Sequence, residues 1–191
     1  MCIRDRPEDD PEHGPVYLSS AVDWSKSRAY GIGFNGLYLN LKGREAEGIV
    51  EPGAEADALL VELKEKLDAI TDDERGGARV VVEADLASVV YEGGERLDEA
   101  PDIVVGYDSG YGNSDEATQG RIPHAVLTDN LGGTFNGSHL MHPSVVNGVL
   151  LTNRPVSIQD PRLEDLTATL LGSYGVEPTE GMVGRPLMTS N

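Results

Sequence analysis

The sequence predicts an α/β fold, and three observations carry that prediction. Two short apolar segments, Ala29-Tyr30-Gly31-Ile32-Gly33-Phe34 and Gly36-Leu37-Tyr38-Leu39-Asn40-Leu41, flank Asn35-Gly36. Asn-Gly between alternating apolar residues is a strong hairpin signal. After Pro52, Ala56, Leu59, Leu60, Leu63, Leu67 and Ile70 recur at steps of three and four, with Glu55, Glu62, Lys64, Glu65 and Lys66 between them. That spacing predicts an amphipathic helix ending near Ile70. Ile103-Val104-Val105-Gly106-Tyr107 is short, apolar and β-branched, which suits a central strand.

The remaining elements follow in order. Residues 16–22 form a weak apolar stretch, and Trp24, the only tryptophan, is expected to anchor the next connection onto the core. Gly31-Ile32-Gly33 is no nucleotide loop, because no helix with the right third glycine follows. Gly76-Gly77 marks a turn. The valine run from Arg79 favours strand, while residues 86–90 also suit a helical turn. Residues 108–120 are polar and contain glycine, either a solvated connection or a loop that touches substrate. Val145, Val146, Val149, Leu150 and Leu151 read as a buried strand. Asp160-Pro161 predicts a helix N-cap and first position, with Glu164 and Asp165 favourable to the dipole and Leu163, Leu166, Leu170 and Leu171 as the buried stripe. Gly172 or Gly175 ends that helix, and residues 176–187 form a closing tail. The whole is an α/β pattern with an added β element and no internal repeat.

Composition narrows the partners. The 191 residues hold 15 Lys plus Arg against 33 Asp plus Glu, a net charge of −18. That excess argues against a nucleic-acid polymer and against an anionic membrane surface. With one cysteine, Cys2, there is neither a disulfide framework nor a thiolate cluster. No apolar run approaches the roughly 18 residues of a membrane span. Residues 1–15, charged and proline-rich, read as a disordered or non-native leader rather than a signal peptide. Residues 16–191 read as part of one domain.

Chemistry concentrates in Asp129 to Arg154, DNLGGTFNGSHLMHPSVVNGVLLTNR. Gly132, Gly133 and Gly137 free the backbone, and Gly137-Ser138-His139 presents an imidazole beside an apolar run. One reading is a metal ligand on a glycine-rich loop. The other is a surface loop with two incidental histidines, His139 and His142.

Several segments, taken together, resemble the C-terminal part of the alkaline phosphatase superfamily, most nearly its type I phosphodiesterase/nucleotide pyrophosphatase branch. They are VDWSKSRAYGIGFNGLYLNLKGRE (22–45), APDIVVGYDSGY (100–111), the loop from Asp129, and DPRLEDLTATLLGSYGVEPTEGMVGRPL (160–187). The resemblance implies the C-terminal part of a three-layer sandwich with an additional β-hairpin, an incomplete domain. It implies a metal-dependent hydrolase of phosphate esters or nucleotides with a Thr or Ser nucleophile and two divalent ions, usually Zn²⁺. In the family a Gly-x-His supplies a late metal ligand, and here that residue is His139.

The sequence also departs from the family. Ser138 and His142-Pro143 stand where relatives often have Asp and Asp-Pro, and His142 is expected at the surface rather than on a metal. Glu12-His13-Gly14 only mimics the family's Asp-His-Gly; His124 and Asp129 carry no assigned role. The nucleophile half is expected to lie outside this chain, leaving it inactive alone and prone to self-association through an exposed sheet edge. The competing expectation is a non-catalytic binding or regulatory module that keeps the fold.

Overall fold

The computed structural model describes residues 17–123, 125–129 and 140–188. The chain divides into two compact units, Met1–Asn147 and Gly148–Asn191. Both α-helix and β-strand are present, as expected for an α/β chain, and the main sheet has four strands paired antiparallel.

In the first unit, α1 (Leu18–Ala21) buries Leu18 and leads to the hairpin of β1 (Ala29–Ile32) and β2 (Gly36–Leu39). The pairing runs from Ala29↔Leu39 to Ile32↔Gly36, with the turn at residues 33–35, so the Asn35-Gly36 signal was placed correctly. Trp24 packs edge-on to Tyr30 at 5.3 Å between ring centroids, and its carbonyl accepts from Asn40 Nδ2 at 3.1 Å. The expected anchoring role therefore holds.

The periodic helix is α2 (Ala54–Asp68), entered through Gly53 at φ 90°. Ala56 and Leu59 are buried, and Leu60, Leu63 and Leu67 pack beside them against the sheet. A two-strand ladder follows, β3 (Thr71–Asp72) with β4 (Ala78–Arg79), then β5 (Val81–Leu86), α3 (Ala87–Val90) and β6 (Ile103–Tyr107). Both alternatives for the valine run are thus realised in succession, strand and then a helical turn. Strand order is β1-β2-β6-β5, which makes β6 central as expected. Leu37, Leu39, Ala84, Ile103 and Val105 meet α2 or its core clusters on one face. Burying the leucine, isoleucine and valine side chains among them stabilises by roughly 1.5–3 kcal/mol each.

The edges are partly closed. On β5, Ala84 N–H donates to Asp68 Oδ1 at 2.7 Å, and Ala84 C=O accepts from Lys64 Nζ at 3.0 Å, both from α2. Arg79 donates to the carbonyls of Val81 and Val82. Side chains therefore occupy backbone groups that an added strand would need, a common defence of a sheet edge. Near β1, Gly33 N–H donates to Ala117 C=O in α4 (Asp115–Thr118).

Three expectations are corrected. The apolar run at 145–151 forms no strand: Pro143–Val145 is a 3-10 turn, and Val149 and Leu151 are 85% and 90% exposed. Strand propensity found no ladder there. Instead Met141 lies parallel to Tyr107 as a single bridge, and His142 N–H donates to Tyr107 C=O at 3.0 Å. In the second unit Asp160 is no N-cap. It sits at φ 48°, and α5 (Leu163–Ser173) is capped at Arg162, whose N–H donates to Asp165 Oδ2 at 2.8 Å.

The leucine stripe of α5 is the third correction. Leu166 and Leu171 are half-buried as expected, but Leu163 and Leu170 are exposed, and the fully buried positions are Asp165 and Ala168. The tail chooses that face. Arg185 N–H donates to Asp165 Oδ1 at 2.7 Å, and Leu187 N–H donates to Thr169 Oγ1 at 2.8 Å. Gly184 passes so close that a Cβ would lie 2.2 Å from Glu164 C=O. Two backbone N–H groups hold the Asp165 carboxyl below its ordinary range, Arg185's first and Arg162's second. Gly175, at φ 69°, follows the helix end.

Among the described residues no helix is long and apolar enough to cross a membrane.

Candidate functional site

The expected metal ligand His139 lies outside the described residues, as do Ser138, His124 and Glu12-His13-Gly14. The structure does place both flanks of their loop. Asp129 and Met141–His142 lie near the stretch where β6 runs out into residues 108–111.

His142 is held rather than loose at the surface. Its Nδ1 accepts from Ser144 N–H at 3.2 Å and lies 2.7 Å from Ser144 Oγ. Accepting through Nδ1 puts the neutral ring's proton on Nε2, which lies 4.0 Å from Asp85 Oδ2. The ring covers Gly106, where a Cβ would stand 2.7 Å from His142 Cδ2 and 2.9 Å from Glu83 C=O. Gly106 is thus the one residue type that lets this flank reach β6.

On the Asp129 side little in the local residues announces what gathers. Asp72 caps the 3-10 turn Asp73–Arg75, its Oδ1 accepting from Glu74 N–H at 3.0 Å and Arg75 N–H at 3.3 Å. Gly76 and Gly77, at φ 69° and 81°, then reverse the chain. Asp72 Oδ2 accepts from Tyr111 O–H at 3.0 Å. Arg75 lies over the Tyr111 ring at 5.5 Å and reaches to 3.6 Å from both Asp72 Oδ2 and Asp129 Oδ1. Partial burial, then the Asp72 hydrogen bond, push the Tyr111 phenol above its usual value. An aspartate three residues before an arginine and a Gly-Gly pair was the only local signal of this turn. Its union with Tyr111, 36 residues later, was invisible.

Among the described residues no group of three or more His, Cys, Asp or Glu is placed to hold a metal ion. The described carboxylates and His142 therefore do not by themselves fit a metal pair. In the second unit a groove is lined by Glu164, Thr167, Ala168 and residues 181–184.

No family model matches the chain, and neither a curated protein nor a solved structure matches it.

Proposed function

We propose that this chain is the C-terminal part of a metal-dependent hydrolase of phosphate esters, of the phosphodiesterase/nucleotide pyrophosphatase kind, acting on a small phosphate ester or nucleotide. The ordered set of motifs suggests the class. The observation that carries it is where the two flanks of the Gly-x-His loop are held: Met141 bridges Tyr107 at the end of β6, and Asp129 pairs with Arg75, which lies over the Tyr111 ring four residues further on. Loops fixed by a rigid scaffold are where binding and catalytic groups concentrate.

On this reading the four-stranded sheet and α2 belong to an alkaline-phosphatase-like three-layer sandwich. His139 is the ligand this chain offers to a pair of divalent ions, probed first with Zn²⁺. Such a pair would polarise the phosphoryl oxygens and activate the nucleophile. The chain's own contribution is to hold the loop by Gly106, Tyr107 and Ser144 on one side and by the Arg75 turn on the other.

The test is zinc content and phosphodiester turnover of the full natural gene product, with His139→Ala beside it. Loss of about one zinc equivalent and at least a tenfold fall in turnover is expected, since catalytic zinc needs three protein ligands. A folded protein that takes up no zinc points instead to a non-catalytic binding module. Unchanged zinc content and turnover in the variant overturn the role of His139.

A further inference from the structure

Arg75 is held firmly and bonded sparsely. Its backbone is fixed by the Asp72 cap and the two glycines, and its guanidinium by the Tyr111 ring. Yet the guanidinium makes no hydrogen bond to any described residue. Its carboxylate neighbours both stand at 3.6 Å, and half of the side chain faces solvent. A guanidinium has five N–H donors in a rigid fork suited to planar oxyanions and phosphoryl groups. Preorganising that fork removes part of the ordering cost of binding.

The carboxylates around it are not equal competitors. Asp72 has both oxygens committed, to two backbone N–H groups and to Tyr111. Asp108, close enough to Tyr111 to act on its phenol, has Oδ1 committed to Ser109 N–H at 2.6 Å. Only Asp129, 69% exposed, is bound to Arg75 by a loose ion pair alone among the described contacts. Such pairs contribute little.

We infer that Arg75, stacked on Tyr111, is an oxyanion subsite that takes the phosphoryl oxygens of the substrate, with Asp129 as the carboxylate it exchanges for them. This rests on the phosphate-ester reading for the identity of the ligand. It puts one preorganised cation at the site in a chain whose net charge is −18.

The test uses inorganic phosphate and the ¹⁵N-labelled 191-residue chain in chelator-treated, metal-free buffer. The Arg75 Nε–Hε signal should shift saturably. Arg75→Gln should weaken phosphate binding about tenfold or more, as expected for a charge-assisted hydrogen-bond pair. Asp129→Asn should tighten it about fivefold by removing the competing charge. The inference is overturned if the Arg75 signal moves no more than that of exposed Arg154, if Arg75→Gln binds as the parent does, or if Asp129→Asn fails to tighten binding. Because no metal is present, failure here leaves the hydrolase reading standing. Failure of zinc uptake in the gene product leaves the anion subsite standing.

Discussion

Strand β6 has an arginine near each of its ends, and the two are bonded in opposite ways. At the N-terminal end Arg44 forks onto Asp102, Nη1 to Oδ1 at 3.1 Å and Nη2 to Oδ2 at 2.6 Å. It also donates to Leu39 C=O at 2.8 Å and through Nε to Glu45 Oε1 at 2.7 Å. The carboxylates are used in turn: Asp102 Oδ2 accepts from Leu39 N–H, and Glu45 Oε2 from Leu41 N–H. Burial alone would lower the Arg44 pKa, but hydrogen bonds to Asp102 and then Glu45 raise it instead. At the other end Arg75 has two carboxylates at 3.6 Å and no closer partner among the described residues. Saturated donors close a structure, whereas preorganised but unsaturated donors leave something for a ligand to complete.

Breaking the saturated end should have the largest effect. Asp102→Ala strands a mostly buried guanidinium and the Leu39 N–H together, so urea unfolding should show a loss of about 3 kcal/mol. A loss below about 1 kcal/mol would mean that Glu45 carries Arg44 alone. Next comes Gly106→Ala, whose methyl would meet His142 Cδ2 and the Glu83 carbonyl at once. We expect about 2 kcal/mol of destabilisation and faster exchange of the His142 amide, which now donates to Tyr107. Wild-type protection of that amide would show that His142 is not what holds the flank.

The saturated end also has a pH signature. Burial first, and then the Glu45 carboxylate, push the Tyr30 phenol from 10.0 up to about 12. Between those values the folded protein keeps a proton that the unfolded chain has lost. This contribution to stability is therefore complete below pH 10 and declines as pH rises towards 12. Tyr30→Phe should flatten that alkaline decline, followed by circular dichroism, and remove the last-titrating phenolate from the 295 nm absorbance curve. If the curve of the variant keeps that late step, another tyrosine is responsible.

What was legible in the sequence was local. The hairpin came from Asn35-Gly36, α2 from its apolar spacing, and β6 from five residues of β-branched and apolar character. Partners were not legible, because pairing depends on residues far apart in the chain. The antiparallel order β1-β2-β6-β5 places Val104 beside both Gly36 and Asp85, and nothing near Val104 says so. The same blindness made a strand of residues 145–151, where propensity was real but no ladder received it. It also misread half of the buried face of α5, since the tail from Gly184 to Leu187 recruits Asp165 and Thr169 while Leu163 and Leu170 stay exposed. Of the candidate site, the meeting of Arg75 with Tyr111 was not legible, being set by Asp72 and by ring stacking across 36 residues of chain, and the glycine-rich loop lies outside the described residues. The position of His139 lies outside the described residues.

The smallest expected effect is at the unsaturated end, and its smallness is informative. Arg75→Gln removes two 3.6 Å ion pairs from a half-exposed side chain, and such pairs are worth 0–1 kcal/mol. The turn itself is kept by Asp72, which accepts from the backbone N–H of residue 75 whatever its side chain. Urea unfolding of Arg75→Gln should therefore agree with the parent to within about 0.5 kcal/mol. Arg44→Gln should cost several times as much, because it leaves Asp102 and Glu45 largely buried without their cation. If Arg75→Gln proves as destabilising as Arg44→Gln, the guanidinium is a structural clamp whose donors are already spent, and the two ends of β6 do the same work.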